Sequence, residues 1–279
     1  MNQRRKIILV VALLVVAVSV VVAQRRFGGR YSRGPQVSQP LPEWSNDPEF
    51  ERDVFTFARV RYTSRGRYGR GGWDTDAPDA DLNFGFRLQQ LTSLKVYPKE
   101  KDIDLTNPEL FDFPFIYIVE PGSLEFSDEE AKTLRKYLLN GGFLMVDDFW
   151  GDYEWENLYE QMKRVFPERE PQELPLEHPI FHCVFDLKEK PQVPNFGTGE
   201  DSQYNGGITW ERGHGPGVET PHYRGIFDDK GRMMVIICHN TDLGDGWERE
   251  GVYEYYFREF SEKKAYPLGI NIVFYALTH

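Results

Sequence analysis

The sequence predicts an α/β fold, a mostly parallel sheet covered by helices on both faces. Three observations carry this. Strand-like and helix-like segments alternate from residue 53 to residue 166. Two later strand candidates are short, continuously apolar runs, as expected for strands buried on both faces. Each of those runs passes directly into an acidic-aromatic block, Asp147-Asp148-Phe149-Trp150-Gly151-Asp152 and His239-Asn240-Thr241-Asp242-Leu243-Gly244-Asp245-Gly246-Trp247-Glu248. In an open α/β sheet such blocks fall outside the carboxyl ends of the strands, where ligands bind.

The elements follow in order. Asp53–Tyr62 alternates β-branched and aromatic residues and reads as the first strand. The loop from Ser64 to Pro78 carries Arg65, Arg67 and Arg70 and then turns acidic at Asp74, Asp76, Asp79 and Asp81. A helix is expected from Ala80 to Leu94, capped by Asp79 or Asp81. Phe113–Glu120 is the next strand, with Pro114 at its start, where a missing N–H is tolerated. Ser127-Asp-Glu-Glu130 is a capping box, Ala131, Leu134 and Leu138 give one apolar stripe, and Gly141-Gly142 stop the helix. A strand at Phe143–Val146 and a helix from Asp152 to Phe166 follow, with Trp155, Leu158, Tyr159, Met162 and Phe166 on one face. His178–Phe185 is read as a short strand, residues 191–221 as a long Gly-rich loop, Met233–Cys238 as a strand and Ala265–Leu277 as a buried helix.

The N-terminal segment is set apart from this pattern. Arg4-Arg5-Lys6 precede an apolar run from Ile7 to Ala23 broken only by Ser19, and Val21-Val22-Ala23 offers small residues for cleavage. This is the layout of a secretory signal over residues 1–23; the alternative is an uncleaved anchor that tethers the chain to a membrane. Either places the rest of the chain outside the cytoplasm, periplasmic or extracellular. Residues 24–50, rich in Gly, Pro, Arg and Ser, read as a linker, and 51–279 as the domain. Cys183 and Cys238 are the only cysteines; they either pair in an oxidising compartment or stay unbridged and buried. A net charge of −11 argues against a nucleic-acid partner, because phosphate binding needs clustered cations.

The candidate chemistry is acidic. Asp147 and Asp148 at a strand end could hold a cation or serve as acid and base, although neighbours on an extended chain point to opposite sides. The bland alternative is one helix cap and one solvated carboxylate. Asp242, Asp245 and Glu248, spaced by three with Gly244 and Gly246 between, suit an oxygen-rich loop for a divalent cation, or else a plain Asp/Gly turn into Trp247. His239 is the best-placed general base. Pro179 disfavours the helix that a zinc pair of His178 and His182 would need. Cys238 and His239 are neighbours that should diverge. No Gly-flanked nucleophile elbow, Walker loop or dinucleotide fingerprint is present.

Four segments carry a resemblance: Leu138–Trp150, Leu176–His182, Asn240–Glu248 and Tyr266–His279. In order and content they resemble the bacterial "domain of unknown function 4159" family over roughly Asp53 to His279. The resemblance implies a flavodoxin-like, class I glutamine amidotransferase-like three-layer sandwich in an exported or membrane-tethered protein. It supplies no activity, and with no catalytic cysteine at an elbow, glutamine amidotransferase activity is not expected. The wider superfamily includes trehalose-utilisation-like proteins, so a carbohydrate ligand stands as an analogy.

The expected function is therefore non-catalytic binding of a polar ligand, a carbohydrate among the candidates, or of a protein partner. Asp147, Asp148, Trp150, His239, Asp242, Asp245, Trp247 and Glu248 would line the site, with the two tryptophans as stacking surfaces. The alternative is a hydrolase that uses the same carboxylates, Asp242 and Asp245 foremost, with His239 as base and with or without a divalent cation. A third reading has Asp242, Asp245 and Glu248 only capping and bracing the final helix.

Overall fold

Apolar runs long enough for a strand and too short for a helix form the centre of the fold. The computed structural model describes residues 40–47, 53–65 and 72–279. The expected signal or anchor at 1–23, most of the linker, and Arg67 and Arg70 lie outside the described residues. Nine strands occur among them: β1 Ala58–Arg61, β2 Thr63–Ser64, β3 Lys101–Asp104, β4 Phe115–Val119, β5 Leu124–Glu125, β6 Phe143–Asp147, β7 Gln172–Glu173, β8 His222–Phe227 and β9 Met233–His239. Seven of them form one sheet in the order β3-β1-β4-β6-β9-β8-β7, while β2 and β5 make a separate antiparallel pair. The contacts from β3 to β9 are parallel; β8 joins β9, and β7 joins β8, antiparallel. Counted in chain order, the five parallel strands run 2-1-3-4-5, the flavodoxin-like order, with its switch point between β1 and β4.

Strand alternation divides the core between the two faces. Phe115, Tyr117, Met145, Ile236 and Cys238 pack with Phe84 and Leu88 of α1 (Asp79–Leu91), Trp247 of a later short helix, and Leu268 and Ile272 of the C-terminal helix (Tyr266–Thr278). Ile116, Ile118, Leu144, Val146 and Ile237 pack with Leu134 and Leu138 of α2 (Asp128–Leu139) and Leu158 and Met162 of α3 (Gly151–Val165). The result is a three-layer α/β sandwich. The capping box forms as expected: Ser127 Oγ accepts from Glu130 N, and the Glu130 carboxylate accepts from Ser127 N. The remaining helices are α4 (Phe196–Asp201), α5 (Leu243–Glu248), α6 (Glu254–Tyr256), a π-helical stretch Phe257–Ala265, and α7, the C-terminal helix already given. No helix among the described residues is long and apolar enough to cross a membrane.

Several local expectations need correction. The first strand is shorter than Asp53–Tyr62; Phe55 only bridges to Val96. Neither Asp79 nor Asp81 caps α1: both lie inside its first turn, the N-cap is Pro78, and Asp81 instead pairs with Arg59. Residues 178–185 are not a strand. Pro179 opens a 3₁₀ turn, Pro179–Phe181, whose Ile180 N–H is taken by the His178 side chain. His182 bonds Asp186 and the Leu176 carbonyl, so the two histidines do not share an ion. The β3 strand has no apolar pattern in the sequence, because only Ile103 of Lys-Asp-Ile-Asp is buried, as befits a charged edge. The two cysteines are unbridged, Cys238 within the core and Cys183 exposed, its thiol donating to the Asn271 carbonyl.

Gly269 of α7 sits at a close contact with Phe84 of α1 and Trp247 of α5. A Cβ there would lie 2.7 Å from ring atoms of both Phe84 and Trp247. Gly269→Ala should therefore destabilise by roughly 1–3 kcal/mol through overpacking, read as a lower urea midpoint; an unchanged or raised midpoint would refute the contact.

Candidate functional site

Three adjacent strands, β4, β6 and β9, each end by turning into the left-handed region. The residue after each has positive φ: Glu120 at 47°, Asp148 at 57° and Asn240 at 61°. None is glycine, so each bears a conformational cost that its surroundings must hold in place. Asn240 shows how. Its Oδ1 accepts from Gly151 N at 2.8 Å, and its Nδ2 donates to the carbonyls of Gly217 and Thr220, both at 2.7 Å. Backbone bonds Asp148 N to Thr241 O and Asn240 N to Phe149 O join the two acidic-aromatic blocks side by side. A fourth such residue, Asp76 at 61°, lies on the connection from β1 to α1.

These turns gather carboxylates outside the strand ends. Asp76, Asp148 and Asp242 can each present one oxygen within 4.8 Å of the others, and so can Asp76, Asp245 and Glu248. The spacing of three in the second block is explained by α5. Asp242 is its N-cap and accepts from Asp245 N at 2.7 Å, which puts Asp245 and Glu248 on the following turns. The Asp245 carboxylate also accepts from Phe196 N, and Arg249 Nε lies 3.4 Å from Asp245 Oδ1 and 2.7 Å from Glu248 Oε2.

Asp147 has a different place from Asp148, as divergence of neighbours requires. It is fully buried, and its Oδ2 accepts from Tyr117 Oη at 3.2 Å, Leu243 N at 2.9 Å and Gly244 N at 3.2 Å, bracing the start of α5. Among the described residues its Oδ1 has no hydrogen-bond partner, nor has the buried Oδ2 of Asp76. Burial pushes Asp147 up to about 7 in spite of those donors. Burial first, and then the charge of Asp245, pushes Glu248 up to about 8. Asp76, Asp148 and Asp242 are raised well above the usual carboxylate range by burial and by the surrounding carboxylates.

A cavity of about 270 Å³ opens onto this cluster, lined by Glu120, Gly122, Ser123, Asp148, Glu154 and His214. His214 is held between two glutamates, Nδ1 2.8 Å from Glu154 and Nε2 3.3 Å from Glu211, and these bonds raise it to about 10, so it is an imidazolium at neutral pH. Glu154 also accepts from Trp150 N at 2.8 Å.

The structure thus brings Asp148, Asp242, Asp245 and Glu248 together and sets other candidates apart. His239 points to the opposite face of the sheet from Cys238, stacked between Phe149 and Trp155. Its Nδ1 accepts from Arg224 and its Nε2 bonds the Gly151 carbonyl, while burial and then Arg224 lower it to about 3. Both ring nitrogens are engaged, so His239 does not serve the cluster as a base. Trp150 and Trp247 are 1% and 0% exposed, so the expected stacking surfaces are core instead. Asp76, Glu120, Glu154, Glu211 and His214 were not singled out as site residues from the sequence. Only Asp76 left a trace there, in the acidic run from Asp74 to Asp81.

Fold and site together define a three-layer α/β domain with an acidic crevice across the carboxyl ends of its central strands. The family model described as "Domain of unknown function (DUF4159)" matches residues 56–277, and the chain belongs to that family. No curated protein matches it.

The raised carboxylates set the pH dependence. An acid whose folded pKa exceeds its unfolded value, about 4, adds nothing below that value and loses stability as pH rises through the folded one. With Asp147 at about 7 and Glu248 at about 8, the cation-free protein should lose stability steadily from pH 5 to pH 8.5, followed by its urea midpoint. A midpoint that holds or rises over that range would contradict the charge arrangement.

Proposed function

We propose that this domain is a non-catalytic binding module whose crevice takes a small ligand rich in hydrogen-bond donors, a polyol such as a sugar, or an amine. One observation carries this reading: among the described residues the cavity is lined by the acceptors Glu120, Asp148 and Glu154, and the one cationic side chain in that lining, His214, is already held by Glu154 and Glu211. The ligand must bring the donors. The layout of residues 1–23 supports a place of action outside the cytoplasm, by export or tethering. A hydrolytic role remains the second reading. It would need a carboxylate as base in place of His239, and Asp148, which lines the cavity and is raised above the usual carboxylate range by burial and its neighbours, is the group placed for it.

A thermal-shift panel of sugars, polyols and polyamines separates these. A ligand at a hundredfold its Kd should stabilise by about 2.7 kcal/mol, a rise on the order of 5–10 °C for a domain of this size, and Asp148→Asn should abolish the rise. Absence of any compound that stabilises the wild type more than the variant would retire the binding reading. Turnover of a glycoside or ester that is lost in Asp148→Asn would favour hydrolysis instead.

A further inference from the structure

The two carboxylate triads share Asp76 but differ in one respect. The inner one, Asp76 with Asp245 and Glu248, has a resident cation. Arg249 Nε reaches Glu248 Oε2 at 2.7 Å and Asp245 Oδ1 at 3.4 Å. The outer one, Asp76 with Asp148 and Asp242, has none beside it among the described residues. The charges acting most strongly on Asp148 are Glu120, Asp76, Glu211 and Asp147, and those on Asp242 are Asp148, Asp245, Asp76 and Glu211, carboxylates in every case. Arg59 acts on Asp76, yet its guanidinium is spent on Asp81 and on the carbonyls of Trp73 and Thr75. Buried like charges without a counter-ion are costly.

We propose that the outer triad holds one divalent cation of the hard, oxygen-preferring kind, Ca²⁺ or Mg²⁺, and that Arg249 stands in for a second cation in the inner triad. This rests on the binding reading above and deepens it: the ion would link the ligand's oxygens to the protein.

Two further observations point to an ion rather than to acidity alone. Among the described residues the Oδ2 atom of Asp76, the residue common to both triads, is shut away from solvent without a hydrogen-bond partner, an orphan that cation coordination would satisfy; Glu248 Oε2 of the inner triad also lacks a hydrogen bond but lies in an ion pair with Arg249. Asp242 is only 4% exposed, and among the described residues its carboxylate accepts through Oδ1 from Asp245 N. The donor set is all carboxylate, with no Cys or His in either triad, which suits Ca²⁺ or Mg²⁺ over softer metals. Asp148 lines the cavity, so one side of the ion would face the ligand.

The test is titration of the chelator-stripped full chain with CaCl₂ and with MgCl₂ by calorimetry, with stoichiometry read by native mass spectrometry. One ion per wild-type chain is expected. Asp148→Asn and Asp242→Asn should each weaken its affinity at least tenfold, and Arg249→Met should raise the count to two. Asp148 is half-buried, so its variant keeps the test open if Asp242→Asn fails to fold. No ion bound to folded wild type, or affinity unchanged in Asp148→Asn, would overturn the cation site. The polyol and amine panel repeated in chelator would then judge the binding reading separately. Two ions on the wild type, or one on Arg249→Met, would overturn the role given to Arg249.

Discussion

A buried guanidinium fixes the geometry on which the crevice depends. Arg59 sits in the middle of β1 with no solvent exposure, its fork bonded to Asp81 of α1 at 2.9 and 2.5 Å. Its remaining nitrogen donates to the carbonyls of Trp73 at 3.1 Å and Thr75 at 2.7 Å, and its cationic carbon lies 5.1 Å from the ring centre of Tyr117. One side chain thus ties the sheet, the first helix and the loop that delivers Asp76. A charge so deep needs every one of these partners, because removing one partner of a buried pair leaves an uncompensated ion at a cost of about 3–5 kcal/mol. Arginine suits the place where lysine would not, since a planar fork can satisfy a carboxylate and two carbonyls together.

The crevice itself stores unfavourable electrostatics. Carboxylates raised above their ordinary range by burial and by one another are crowded at one edge of the scaffold, and the left-handed turns at Glu120, Asp148 and Asn240 add backbone strain at the same edge. Packing around the cluster leaves little freedom. At Gly244, where α5 begins, a Cβ would lie 2.5 Å from Asp76 Oδ2, so only glycine lets the two loops approach. Rigid secondary structure beneath and strained turns above are what a preorganised binding site requires.

Much of the frame could be read from local pattern. The capping box at Ser127, the apolar stripe of α2 and the central strands depend on residues near one another in the chain, where propensity and periodicity act. The polar edge strand β3 and the antiparallel pair β7 and β8 lacked such signals. Their pairing is set by neighbours far along the sequence. The site was half legible. Asp148, Asp242, Asp245 and Glu248 stand out because they follow apolar runs, whereas Glu154 lies inside a helix of ordinary composition and Glu211 and His214 lie in a Gly-rich loop whose pattern does not say which of its residues turn inward.

By itself, the sequence determined the family, the α/β class and the edge of the sheet where the acidic residues gather, because strand ends and apolar periodicity are properties of contiguous residues. Tertiary structure alone decided which acidic residues meet. It sent Asp147 inward to α5 and Asp148 outward to Asp76, and it buried Trp150 and Trp247 in the core. It also turned His239 toward Arg224 and Gly151 on the far face of the sheet. The reason is physical: convergence across four separate strand-to-helix connections is fixed by strand order and backbone twist, and neither is written in any one stretch of chain.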